Sequence, residues 1–441
     1  MWSKVRSSAG GETGRLAGRS AYLLAFRVAG ALTVYATQVV LARQLGKEAL
    51  GRYASSMSVL LVLTEVALLG LPSAAMRFVG GAGLDADDGS ARGLLLGYLR
   101  RGRQTVALTS LALAGVGMGI VAAALPAGSP SRGVLLAALA GLPAMAWLRL
   151  HGGYALARSW LTVHGLPNNV ARPVLFLGAL VALFALRPGT TVGEAMVLHV
   201  VVMVGVATAA ACVVGRRVRA LAGDAGARYE TRLWLTTGAP LLFVSLATGY
   251  VPDVAVIAVR SVLSPADVAV FAVTLRTAFF FALAGIAVDS ASLPRFAGAW
   301  RHGDRAQLER EVVRATRVKL VAGLAGLAVI ALFGRAILAL FGEGFGEGYA
   351  SMLVLGAAFV VPPALGPGAA LLGVTGHERT SQRAALANLI AVPALITALS
   401  PILGVIGAAW AVLGANVALA VFLRRQVVRK LGIEPSALGK G

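Results

Sequence analysis

Along this chain the apolar residues come in long runs separated by short, basic breaks. The runs show neither the period of two of a half-buried strand nor the one-sided stripe of a water-facing helix. A bilayer-spanning helix takes about 20 apolar residues. Runs of that length predict twelve spans, over 20–41, 52–79, 104–125, 133–150, 170–187, 193–214, 233–259, 264–290, 318–341, 349–373, 383–400 and 402–423. The expected fold class is all-α, a polytopic membrane protein with about 12 transmembrane helices. The short alternating strands of an outer-membrane barrel are excluded.

The breaks carry charge in alternation. Arg77, Arg92, Arg100, Arg101 and Arg103 fill one rich break, then Arg149, Arg158 and Arg172, then Arg216, Arg217, Arg219, Arg228 and Arg232. The stretch from Arg295 to Lys319, Arg379 with Arg383, and Arg424, Arg425, Arg429 and Lys430 continue the series. Between them lie breaks with Arg43, Lys47 and Arg52, or with single residues such as Arg132, Arg187 and Arg260. Basic loops stay in the cytoplasm, so a cytoplasmic-membrane protein with both termini cytoplasmic is expected. The layout reads as a cytoplasmic tail over 1–19, an N-lobe of six spans over 20–214, a cytoplasmic linker over 215–232, a C-lobe of six spans over 233–423, and a basic cytoplasmic tail over 424–441. The first run contains Arg27 and is too long for a cleavable signal, so it reads as an uncleaved span.

Composition agrees, with 58% hydrophobic and 13% charged residues and a mean hydropathy of +0.79, too little polar material to cover a water-facing surface. The net charge of +21 raises the possibility of nucleic acid, but the charges are confined to the breaks, and no nucleic-acid partner is expected. Cys212, the only cysteine, lies in an apolar run, which excludes disulfides and cysteine metal sites. His151, His164, His199, His302 and His377 have no ligand-like spacing. No cofactor or metal is expected. The outer breaks are too short to hold a catalytic loop, so no enzyme is expected either.

A shift of 218 positions aligns Leu45 to Gly80 with Leu263 to Gly298 without a gap. It matches Leu45 with Leu263, Ala54 with Ala272, Arg77 with Arg295, Phe78 with Phe296 and Gly80 with Gly298, and sets Tyr53 against Phe271. Two halves of six spans share one orientation, an arrangement known among transporters, which favours a carrier over a channel.

A charge at mid-membrane costs a few kcal/mol or more unless it faces protein or water. Arg27 in span 1, Glu65 near the middle of span 2, Asp253 toward the outer end of span 7 and Arg276 near the middle of span 8 therefore each need a reason. One reading is two structural ion pairs, Arg27 with Glu65 and Arg276 with Asp253. The other turns both arginines toward a shared cleft to hold an anion, because guanidinium grips phosphate oxygens bidentately and keeps its charge. Asn388 and Gln382 in span 11 either line a cavity or bind helices together. His199 reads as a packing residue rather than a proton relay. Glu343 and Glu347 sit in a Gly-rich outer turn, and the proline- and glycine-rich stretch from Val360 to Gly376 breaks span 10.

The segment Leu45-Gly46-Lys47-Glu48-Ala49-Leu50-Gly51-Arg52-Tyr53, with Leu69-Gly70-Leu71 and Ala75-Met76-Arg77-Phe78 after it, resembles the opening of polysaccharide-export flippases, the Wzx-like branch of the multidrug/oligosaccharidyl-lipid/polysaccharide transporter superfamily. Pro240, Asp253, the Ser264-Pro265-Ala266-Asp267 turn, Phe271, Arg276, Pro294, Asn388 and the run from Pro401 to Ala409 extend the resemblance over nearly the whole chain. It implies two six-helix lobes forming a V around a central cationic cavity. It also implies a carrier that turns a polyprenyl-diphosphate-linked oligosaccharide from the inner to the outer leaflet by alternating access, beside the glycosyltransferases and glycan polymerase of its pathway. Related lipid II flippases place diphosphate-binding arginines on spans 1 and 8, where Arg27 and Arg276 fall, and a sodium site on spans 7 and 11, for which Asp253 and Asn388 are candidates. The second acidic residue of that ion site is missing from span 11, as are the two extra C-terminal spans. The substrate-binding set expected is Arg27, Arg276, Glu65, Asp253 and Asn388. A drug or cation exporter of the same superfamily is the main alternative and a membrane-bound glycan-pathway enzyme a lesser one.

Overall fold

In a computed structural model of the chain, residues 2–80 and 89–437 are described, and among them every regular element is a helix. The first and last are α1 (Trp2–Leu68) and α15 (Glu378–Leu431). With 54 residues, α15 is about 80 Å of helix at 1.5 Å per residue, against a hydrocarbon core of about 30 Å. Each of the two is broken at one glycine, Gly46 at φ 83° and Gly404 at φ 65°. A side chain disfavours that left-handed conformation. Among the described residues nine helical segments are long and apolar enough to cross a membrane, and one bent pair makes a tenth. Dividing α1 and α15 at their glycines gives the twelve expected.

The sequence places a loop over 42–51, but the backbone stays helical up to Gly46 and again after it. The charged residues there have local partners that let a one-residue break suffice. Arg52 pairs with Glu48 one turn away, and Lys47 donates to the Gly344 carbonyl at 2.9 Å.

By packing, the chain divides into two compact units, Met1–Leu45 with Ser56–Leu246, and Gly46–Ser55 with Ala247–Gly441. The first holds most of α1, then α2 (Leu71–Phe78), α3 (Gly89–Ala124), α4 (Pro130–Ala140), α5 (Leu142–Ala157), α6 (Leu161–Gly165), α7 (Arg172–Leu186), α8 (Val192–Ala222) and most of α9 (Thr231–Gly249). A π-helical turn, Leu166–Ala171, joins α6 to α7. Buried aromatics tie the unit together. The Tyr98 hydroxyl donates to the Leu71 carbonyl at 2.6 Å, that of Tyr154 to Leu95 at 3.1 Å, and Trp234 of α9 packs 4.9 Å from the Tyr98 ring. Gly70 meets Gly238 so closely that a Cβ on it would lie 2.0 Å from the Gly238 carbonyl oxygen. These contacts fasten the first part of span 7 to the earlier helices.

In the second unit follow α10 (Val251–Val262), α11 (Pro265–Arg301), α12 (Arg305–Ala339), α13 (Tyr349–Ala364), α14 (Gly368–Val374) and α15. A break at Tyr250 separates α9 from α10. Ser264 and Asp267 form a reciprocal cap on α11, a motif that stabilises a helix start by about 1 kcal/mol. Span 10 divides into α13 and α14 in the proline- and glycine-rich stretch that the sequence marks. Beyond α15 the chain folds back. Ile433 is buried, the Pro435 carbonyl accepts from Thr316 at 3.0 Å, and the Ala437 amide donates to Ala364 at 3.1 Å, beside the span 10 break. Residues 438–441 of the expected tail lie outside the described residues.

The repeat is visible in the backbone. Gly46 corresponds to Ser264 under the 218-residue shift, and the helix breaks at both positions. The equivalent residues Tyr53 and Phe271 are both buried. The two copies also touch, since a Cβ on Gly51 would lie 1.7 Å from the Pro265 carbonyl oxygen.

Candidate functional site

Within the second unit two adjoining cavities of about 340 and 320 Å³ share Phe279, Phe359, Ala369, Asn416, Leu419 and Leu423. Helical periodicity builds their walls. α11 contributes Leu275, Phe279, Ala282, Ile286 and Asp289, three or four residues apart, which is one face of a helix. The second arm of α15 supplies Val412, Asn416, Leu419 and Leu423 in the same rhythm, and the span 10 break lends Pro362, Pro363 and Pro367.

Besides the hydroxyls of Thr248 and Ser381, the lining carries two paired sets of polar groups. Lys319 of α12, only 9% exposed, reaches both carboxylate oxygens of Asp289 at 2.8 Å. Asn388 of α15, 7% exposed, donates from Nδ2 to Asn416 Oδ1 at 3.4 Å. Its own Oδ1 is buried with no hydrogen-bond partner among the described residues. The crevice thus offers a neutralised ion pair, two amides and a T-shaped pair of rings, Phe279 and Phe359, 5.6 Å apart. Such a lining holds a polar, uncharged ligand by hydrogen bonds and ring faces. Among the described residues no three His, Cys, Asp or Glu side chains are grouped as metal ligands would be.

The residues marked in the sequence are dispersed. Asn388 lines the smaller cavity. Asp253, beside the lining residues Val251 and Pro252, is itself outside the lining, and Arg276 follows Leu275 one position off the lining stripe. Arg276 is half-buried and Arg27 exposed. Glu65 and Asp253 each make interactions of their own within the fold. Glu65 is buried and ends its helix rather than centring it, because the backbone turns at Leu69 and Gly70, both at positive φ. Arg27 lies 19 residues before the Gly46 kink, about 28 Å of helix, near one end of its span.

Other residues have structural roles. His199 is buried, stacked 4.1 Å from the Phe176 ring, and accepts from Arg172 at 2.9 Å. His151 accepts from Arg103 in the same way at 2.9 Å. Glu347 pairs with Lys47 at 3.6 Å and so helps anchor its turn. Sequence reasoning missed Asp289, Lys319 and Asn416. The signal was present, since Asp289 continues the apolar stripe that starts at Leu275.

No protein-family model matches the sequence, and no curated protein matches it. Solved structures do. An inward-facing multidrug resistance MATE family transporter of the MOP superfamily superposes with a TM-score of 0.73 at 16% identity, over 91% of this chain and 95% of that one. The fold is that of MATE transporters. An outward-facing multidrug resistance MATE family transporter gives 0.64 at 16% identity, over 95% of this chain and 96% of its own. A MOP superfamily transporter from Pyrococcus furiosus, in which reverse polarity of the binding pocket suggests a different function, gives 0.63 at 16% identity, over 94% and 96%. This all-helical fold and its apolar segments make the chain a polytopic membrane protein.

Proposed function

We propose that the protein carries a polyprenyl-diphosphate-linked oligosaccharide across the cytoplasmic membrane by alternating access, for cell-surface polysaccharide assembly. The observation that carries this reading is a pair of arginines set in apolar spans, Arg27 and Arg276. A guanidinium so placed costs a few kcal/mol unless it meets water or an anion, and a diphosphate is the anion its planar fork fits best. The crevice with Asn388, Asn416, Phe279 and Phe359 suits the sugar, whose hydroxyls pair with amides and whose ring faces lie on aromatics. A charged saccharide head cannot cross hydrocarbon unaided, and a polar path through protein replaces its water. Glycosyltransferases and a polymerase of the same pathway are the expected partners.

Export of a drug or organic cation is the second reading, supported by the multidrug transporters with which the chain shares its fold. A cation site needs an available carboxylate or an aromatic cage, and the carboxylate in this crevice, Asp289, is already held by Lys319.

The test is scrambling of a fluorescent lipid-linked oligosaccharide by the purified protein in vesicles, with efflux of an organic cation as the parallel assay. Arg27→Ala and Arg276→Ala are each expected to slow scrambling about tenfold, a loss of about 1.4 kcal/mol, with Arg→Lys in between. Full scrambling by both Ala variants, or cation efflux without scrambling, would sink the reading.

A further inference from the structure

In the first unit a cavity of about 640 Å³ runs between α7 and α8, a size typical of pockets for drug-sized ligands. Its walls are apolar but for Thr162. Small residues hold the seam open, with Ala171 and Ala179 facing Gly205 and Ala209. From Val202 to Val213 it follows α8 over 12 residues, about 16 Å end to end. The wall begins at the π-helical turn Leu166–Ala171, where Leu166, Pro167 and Ala171 all line it. Such turns are rare in helices and concentrate at functional sites.

The end of the slot is different in kind. One turn beyond Val213 on the same face of α8, Arg217 lies with Cζ 5.3 Å over the ring of Trp160, two residues before the lining Thr162. Arg216 stands exposed beside it. A narrow apolar slot with a guanidinium on an aromatic shelf one turn beyond its end has the polarity of a phosphorylated lipid with one long chain. Charge selects the head: an arginine complements a phosphate and would repel a cationic amphiphile.

We propose that this slot holds the isoprenoid chain of a polyprenyl phosphate or diphosphate, with Arg217 on Trp160 meeting its phosphate before Arg27 and Arg276 take it up. The inference rests on the function proposed above and gives that substrate's tail a place on the first unit. Bulk phospholipid is the competing occupant, and it carries two chains where the slot has room along one seam.

Native mass spectrometry of the purified full-length protein, titrated with a polyprenyl monophosphate and separately with phosphatidylglycerol, tests this. The wild type is expected to retain the polyprenyl phosphate at least tenfold better than phosphatidylglycerol. Ala209→Trp, which fills the slot, should lower that retention about tenfold, and Arg217→Gln three- to tenfold with partial rescue by Arg217→Lys. Ala179→Leu, a smaller obstruction, serves if the tryptophan variant does not fold. Equal retention of both lipids, or unchanged polyprenyl phosphate binding in folded Ala209→Trp and Ala179→Leu, overturns the proposal. Retention of the polyprenyl phosphate by a wild type that scrambles no lipid-linked oligosaccharide separates failure of the transport reading from failure of this one.

Discussion

At the scale of single residues, the contact between Lys319 and Asp289 sets a clear expectation. A buried ammonium without its counter-ion is costly, whereas removing both charges is often close to neutral. Asp289→Asn should therefore lower stability by about 1–3 kcal/mol, and Lys319→Met in the same chain should restore most of the loss. Thermal unfolding in detergent, followed by tryptophan fluorescence, measures both. A double variant no better than the single one would mean that the pair matters for packing rather than charge. Residue identity alone pointed to Asn388, because an amide in an apolar run stands out. It did not point to Asp289 or Lys319, which lie at the ends of the predicted spans 264–290 and 318–341, where a charge can reach water. Their importance comes from a helix that runs on past the apolar stretch and keeps presenting the same face.

At the scale of elements, glycines decide where helices break and how near they come. Gly51→Ala would put a methyl 1.7 Å from the Pro265 carbonyl oxygen, and close backbone approach through small residues is how membrane helices gain contact. The expected outcome is loss of monodisperse protein on size-exclusion chromatography. Gly115→Ala in α3, where a Cβ would meet nothing within 4 Å, is expected to be neutral or to stabilise by up to about 1 kcal/mol. The number of spans was legible because twenty apolar residues have few other uses. The one-residue breaks at Gly46 and Gly404 were not, since a run of charges looks like a loop whether the backbone unwinds or stays helical and pairs its charges locally, as Arg52 and Glu48 do.

For the whole molecule, the second unit is closed by its own C-terminal segment. Arg424 grips both carboxylate oxygens of Glu434, at 2.8 and 3.0 Å, and the Ser436 amide donates to the same carboxylate at 3.1 Å. These hydrogen bonds, the Arg424 contact first, hold the Glu434 carboxyl below its ordinary pKa. The unfolded segment then binds more protons than the folded one in the acid range, so the stabilisation is complete above the ordinary carboxylate pKa and fades as pH falls through the folded value. Protection factors at 432–437, taken relative to the intrinsic exchange rate at each pH, should fall on acidification, and Glu434→Gln should show low protection already at neutral pH and lose that dependence. Nothing in the run of charges from Arg424 to Lys430 announced this fold-back; it depends on groups presented by helices far away in sequence, the Ala364 carbonyl and the donating side chains of Thr316 and Arg317 on α12.

The same fold-back has a practical side. Ending the gene at the last helical residue, a routine trim before crystallisation, would delete the stretch from Gly432 to Ala437 and with it the backbone pairing to Ala364. The shortened protein would still cross the membrane as often, yet its broken tenth helix would lose a brace, and any stiffness it lends to the neighbouring crevice would go too.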